Sequence, residues 1–218
     1  MRSFYLTALL IISITALALG QNIGQMGDSL VNYSDINGMK QGYWKKVYEN
    51  GKVAYEGYFK DDKPVGNFKR YFESGGLSTD LYYDEITRLC RAKLFHQNKK
   101  IAAQGNYYEQ KKDSIWKYFT RTGQLISIES YKKGLKHGKF YKYFEDGKIA
   151  EEKTYENDML NGVWRIFYAN GKPRLETMFK NDKRHGLFQV YFDNGRVYST
   201  GAYEGDMREK SWIFYLPD

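Results

Sequence analysis

Gly138–Asn161 reads GKFYKYFEDGKIAEEKTYENDMLN, and this stretch contains the unit from which most of the chain is built. Lys139 to Glu145 holds four aromatics in seven residues, which favours a strand because aromatic side chains suit a pleated, half-buried surface. Asp146-Gly147 follows. An Asp-Gly or Asn-Gly pair between two strand-like runs is the strongest short-range hairpin signal, with Gly supplying the positive φ of a type I′ turn. Lys148 to Tyr155 forms the return strand, and Glu156-Asn157-Asp158 makes a second polar turn before Gly162 opens the next unit.

The unit recurs every 24 residues. From Gly42 the anchor positions are Gly66, Cys90, Ser114, Gly138, Gly162, Gly186 and Lys210. Two residues after each anchor stand Trp44, Phe68, Ala92, Trp116, Phe140, Trp164, Phe188 and Trp212. Nine residues after stand Gly51, Gly75, Lys99, Gly123, Gly147, Gly171 and Gly195. The seventeenth position is always aromatic: Phe59, Tyr83, Tyr107, Tyr131, Tyr155, Phe179 and Tyr203. A fixed period without insertions marks a repeat array, and such arrays present long binding surfaces.

Successive hairpins joined by short turns predict an all-β fold, an elongated antiparallel β-meander of 24-residue β-hairpin repeats, about seven and a half in number. No 3.6-residue stripe survives the returning glycines, which excludes helices. About fifteen strands at ~4.8 Å spacing give a sheet roughly 70 Å long. Residues 21–41 read as an N-terminal cap and 42–218 as the array. The repeat at 90–113 is irregular: Cys90, Ala92 and Lys99 replace Gly, aromatic and Gly. A bend or looser hairpin is expected there, dividing the array into two segments.

The 218 residues include 21 Tyr, 13 Phe and 4 Trp, with 28% charged residues. That is too aromatic for a disordered chain and too polar for a membrane barrel. Residues 1–20 read as a signal peptide: Met1-Arg2, an apolar run from Leu6 to Leu19, and Ala18-Leu19-Gly20 before a cleavage point at Gln21. The apolar run is short of the ~20 residues that span a bilayer. Export to the periplasm, the cell envelope or the medium is therefore expected. Losing Arg2 leaves 33 of the 34 basic residues against 26 acidic ones, a net charge of +7. The single Cys90 forms no intramolecular disulfide and reads as a small residue in a turn.

The pattern G-x-W-x-x-x-[YF]-x-N-G-K, then E-x-x-Y and a Lys/Asp/Gly-rich turn, resembles the MORN repeat variant of the bacterial YwqK-family antitoxins. Gly42-Tyr43-Trp44 with Asn50-Gly51-Lys52, and Gly162-Val163-Trp164 with Asn170-Gly171-Lys172, carry it most clearly. The resemblance covers residues 42–218, with Asn32–Gly38 similar to the lead-in of such proteins. It implies a long antiparallel sheet used as an interaction scaffold, sometimes at membranes.

Sites for chemistry are sparse. His137 and His185 each precede an anchor Gly and lie two repeats apart, a separation of roughly 20 Å across a sheet, too far to share one ion. His96 falls in a strand of the irregular repeat, and all three read as turn or surface residues. No catalytic triad, H-E-x-x-H, phosphate loop or C-x-x-C occurs. Neither enzyme activity nor a metal or cofactor is expected. Glu151-Glu152 and Glu176 read as cross-strand partners of Lys. Basic pairs such as Lys45-Lys46 and Lys132-Lys133 read first as solubility and anti-aggregation devices on sheet faces and turns; as a binding feature they suit anionic lipid headgroups or envelope polymers rather than nucleic acid. The expected function is a non-catalytic, exported scaffold that binds a protein or an envelope component through an aromatic and basic sheet surface. One alternative is a carbohydrate- or lipid-binding module with Trp44, Trp116, Trp164 and Trp212 as a stacking platform, which requires them to be exposed on one face. Another is an antitoxin or immunity-type protein.

Overall fold

A computed structural model describes residues 24–26 and 29–217; the signal peptide expected at 1–20 lies outside the described residues. Three short elements begin the sheet, β1 (Gly24–Met26), β2 (Ser29–Val31) and β3 (Tyr33–Ser34), followed by the full-length β4 (Lys40–Val47). Seven strands follow: β5 (Val53–Lys60), β6 (Lys63–Tyr71), β7 (Leu77–Tyr83), β8 (Leu89–Phe95), β9 (Ile101–Tyr108), β10 (Lys111–Phe119) and β11 (Leu125–Lys132). The last seven are β12 (Leu135–Tyr143), β13 (Ile149–Glu156), β14 (Met159–Phe167), β15 (Pro173–Lys180), β16 (Lys183–Tyr191), β17 (Val197–Glu204) and β18 (Met207–Phe214).

From β4 to β18 each strand pairs antiparallel with the next in chain order. This is the open meander of hairpins that the 24-residue period predicts. The start of the chain folds onto β4: β3 pairs with it antiparallel, and β2 meets it in a parallel bridge at Val31↔Tyr43. The Trp44 indole N–H donates to the Tyr33 and Gln41 carbonyls at 3.1 and 3.2 Å, which ties this lead-in to the first repeat.

The turn types differ from expectation. At Asn50-Gly51 the Gly51 N–H donates to Tyr48 O and the Tyr48 N–H to Lys52 O. Gly51 has φ 77°, while Asn50 is not left-handed. The loop is thus a type I turn closed by a left-handed Gly, not a two-residue type I′ turn. The type I′ turns are at the other junctions, where both central residues have positive φ, as at Asn157 (51°) and Asp158 (69°). Asp61-Asp62, Asn181-Asp182 and Gly205-Asp206 repeat this geometry. Asn and Asp tolerate it because their short polar side chains bond locally.

The anchor residue is likewise not a turn residue. Gly138 (φ 96°) and Gly162 (φ 118°) lie inside β12 and β14. Opposite each of them the cross-strand register slips, between Glu129 and Tyr131 and between Lys153 and Tyr155. The anchor is a bulge position, where an extra residue demands a left-handed backbone. Ser114 keeps the bulge at φ 58°.

Cys90 corrects two expectations at once. It is a buried strand residue facing Tyr83 and Tyr107, not a turn residue. The irregular repeat is not a loose hairpin either, because β7 and β8 pair without a slip from Tyr83↔Cys90 to Thr79↔Leu94. Here the bulge is lost, and the turn lengthens to Asp84–Arg88, held by Asp84 Oδ1 accepting from the Ile86 and Thr87 amides.

Candidate interaction surfaces

Alternate residues of a strand face opposite sides, and cross-strand partners share a side, so the register sorts the sheet into two faces. One row runs Trp44, Gly57, Phe68, Leu81, Ala92, Gly105 through directly paired positions. After the bulge of β10 it continues Trp116, Glu129, Phe140, Lys153, Trp164, Thr177, Phe188, Gly201. Except for Glu152, the buried non-glycine residues belong to this face, including Trp116 (1% exposed) and Thr177 (1%). It is the core of a single-layer protein.

The four tryptophans of the stacking-platform alternative all lie on this face, and they do not show the exposure that alternative requires. Trp44 and Trp116 are buried; Trp164 and Trp212 are half-buried. Each ring sits close above its neighbours. A methyl group at Gly105 would stand 2.4 Å from Trp116 Cδ2, and one at Gly201 equally close to Trp212. Trp116 donates its indole N–H to Asn106 O (2.8 Å) and Trp164 to Glu151 Oε1 (2.8 Å). These rings fill the face beside Tyr107, Phe179 and Tyr203.

Cations of the same chain then cover the rings. Lys40 Nζ lies 4.6 Å from the Trp44 ring centre, Arg184 4.1 Å from Tyr203 and Arg208 4.4 Å from Trp212. Lys112 Nζ stands 5.1 Å from each of Trp116, Tyr118 and Tyr131. Lys40, Lys112, Arg184 and Arg208 all stand two residues before an anchor, a signal the sequence reading missed. Burial lowers the pKa of the Lys112 ammonium, which donates to the Tyr118 hydroxyl. Burial and the neighbouring Glu129 carboxylate push the Tyr131 hydroxyl far up, and that hydroxyl donates to Glu129 Oε2 at 2.6 Å.

The opposite face carries a second register-aligned row. Lys45 faces Glu56, Glu56 faces Lys69, Lys69 faces Asp80, and Asp80 faces Lys93. Gln104 then separates Lys93 from Lys117. Farther along, Glu152, Arg165 and Glu176 resume the alternation. Arg165 bonds Glu152 at 3.4 Å and Glu176 at 3.0 Å, and Lys139 reaches Glu152 at 3.0 Å. The expected cross-strand pairing of these carboxylates with cations is thus present, with Arg165 as well as Lys. Glu56 instead accepts from the Tyr43 and Tyr71 hydroxyls, and these bonds hold its pKa below the usual carboxylate range.

The histidines have separate surroundings. His137 and His185 lie in β12 and β16 rather than in turns, and His185 Nδ1 contacts Glu204 Oε2 at 2.9 Å. His96 follows β8 in the hairpin loop, where its Nε2 lies 3.0 Å from Phe119 O. It stands 48 residues after Tyr48, whose hydroxyl donates to Tyr71 O in the same way. The described residues contain no group of three or more His, Cys, Asp or Glu arranged to hold a metal ion. Burial raises the Cys90 thiol pKa to about 11, which keeps it protonated at neutral pH.

The model for the MORN repeat variant matches the chain at four places, residues 40–61, 112–133, 136–157 and 160–181. All four open two residues before an anchor and close on the first residue of a type I′ turn. The matched unit is thus one hairpin with its bulge. No curated protein matches the chain.

Proposed function

We propose that this chain is a non-catalytic, exported repeat scaffold that binds another protein or a component of the cell envelope. The four MORN repeat variants support a binding scaffold, and the leader-like residues 1–20 support export. The observation that carries the reading is the asymmetry of the sheet. One face is closed by its own aromatics and cations. The other presents an ordered row of charged side chains across successive hairpins, with Lys45, Lys69, Lys93 and Lys117 on alternate strands. A repeated row of this kind matches extended partners, polymeric or proteinaceous, better than a small substrate. The polar face therefore replaces the tryptophan ladder as the binding surface.

The test is affinity capture from envelope fractions with the mature chain and with a Lys45→Glu/Lys69→Glu variant. A component retained by the first and lost by the second supports the reading. Equal retention by both, or no retention, would overturn it. Separately, cell fractionation of the tagged full-length chain should recover it outside the cytosol.

A further inference from the structure

The row alternates in charge from Lys45 to Lys93 and first breaks at Gln104, where a recess lies over it. Gln104 occupies the position that Glu56, Asp80, Glu152 and Glu176 hold on equivalent strands. Lys93 and Lys117 flank it, both exposed, and neither has an ion-pair partner among the described residues. The contrast with Arg165, held between Glu152 and Glu176, is direct. Over this site the polar face carries an open depression of about 500 Å³, within the size range of ligand sites. Asn67 and Asn106 line it together with Gln104, and Arg91 joins the two lysines, its guanidinium 4.6 Å over the Tyr82 ring. Asp80 is the one carboxylate present.

We infer that this depression binds a carboxylated glycan, a chain of sugar acids. The inference rests on the scaffold reading and names the ligand of one part of its polar face. Three cations against one carboxylate call for negative charge, and the missing acid at Gln104 leaves that charge to be supplied from outside. The uncharged groups narrow the choice further. Each amide of Asn67, Gln104 and Asn106 both donates and accepts, which matches hydroxyls that do the same. Asp80 only accepts, so it suits a sugar hydroxyl and repels a run of acidic side chains. A bilayer surface would meet the exposed lysines but leave the half-buried amides of Gln104 and Asn106 unmatched. The depression spans β6 to β10, four strand steps or about 19 Å, which suits an oligosaccharide rather than one ring.

The experiment is calorimetric titration of the full chain with tetramers of galacturonic and of glucuronic acid, and with their methyl esters. The esters keep the rings and remove the charge. At about 50 mM salt, where exposed charges are weakly screened, at least one acid form should bind with Kd below about 1 mM, and its ester should bind at least about tenfold more weakly. Gln104→Glu restores the row and should weaken binding about tenfold or more with an unchanged melting temperature. Gln189→Glu, the same change in the same row far from the depression, should leave binding intact. Equal affinity for acid and ester, full binding by Gln104→Glu, or no binding of either acid would overturn the inference. So would a polyglutamate peptide or anionic phospholipid vesicles that bind the same residues more tightly than the glycan. If envelope capture persists while glycan binding fails, this site falls and the scaffold stands. If both fail, the parent reading falls as well.

Discussion

Lys99 holds φ at 68° at the loop position where six other hairpins place glycine. A side chain in that conformation costs roughly 1–2 kcal/mol through the clash of Cβ with the following carbonyl. Glycine removes the clash but adds freedom to the unfolded chain. Lys99→Gly should therefore stabilise by about 0.5–1 kcal/mol, read as a higher urea midpoint. Glu56 makes a second residue-scale case. Hydrogen bonds from Tyr71 and Tyr43 lower its folded pKa, so its contribution is complete above the unfolded value of about 4.3 and is lost as pH falls toward the folded one. Stability should decline on acidification below about pH 4.5, and Tyr43→Phe/Tyr71→Phe should flatten part of that decline. Unchanged slopes in the double variant would refute this assignment. Of these features, the Lys99 substitution is legible from the period alone. The Glu56 pair is not, because Tyr43 and Tyr71 lie 13 and 15 residues from it in sequence and meet it only through the register.

At the scale of the element, the Asn-Gly-Lys motif does more than turn the chain. Asn170 Nδ2 donates to Asp193 O (2.8 Å), and Lys172 Nζ donates to Asn194 O (2.7 Å) in the next hairpin loop. Asn50 and Lys52 do the same one hairpin later, at Glu73 and Ser74. On the other long edge, Asp182 Oδ1 accepts from the Leu160 N–H (2.7 Å) while its own N–H donates to Leu160 O (3.0 Å). Asp62, Asp158 and Asp206 repeat that clasp on Lys40, Lys136 and Arg184. Both rows of turns are therefore stitched at intervals of one repeat. Asp182→Ala loses the carboxylate bond and leaves Ala at φ 64°, so a loss of about 1–3 kcal/mol is expected. Asn170→Ala, which keeps the backbone relaxed, should cost about 1 kcal/mol. Amide exchange should quicken at Leu160 in the first variant and in the loop after β16 in the second. The hairpins were legible because Asn-Gly and the alternating aromatics agree. The turn types were not, because Asn-Gly fits a two-residue and a three-residue loop alike, and only the closing hydrogen bonds separate them.

For the whole molecule, the decisive point is that one face of a single sheet serves as the core. The position of the tryptophans was readable from the period, but their burial was not. It depends on Gly105 and Gly201 of the neighbouring strands lying under Trp116 and Trp212, and on Lys40, Lys112, Lys153 and Arg208 lying over the four rings, contacts that form only in the folded sheet. The irregular repeat shows the same limit. Its loss of Gly and aromatic residues suggested a break, yet Cys90 and Ala92 are buried in a continuous cluster with Phe68, Leu81, Ala103 and Trp116 that spans β6 to β10. Small side chains fit there because Leu81 packs beside Ala92 on one side and the Trp116 ring lies over Gly105 on the other. Restoring the repeat's own pattern with Ala92→Phe should therefore destabilise by about 1–3 kcal/mol through overpacking, although the same change would complete the aromatic row. Repeat arrays transmit stability between nearest neighbours, so a well-filled centre should hold the two halves together. The slowest-exchanging amides are expected in β7 to β9, and thermal unfolding should not separate residues before β8 from those after it. Early exchange in β8, or a stabilised Ala92→Phe variant, would instead make the irregular repeat the weak joint of the array.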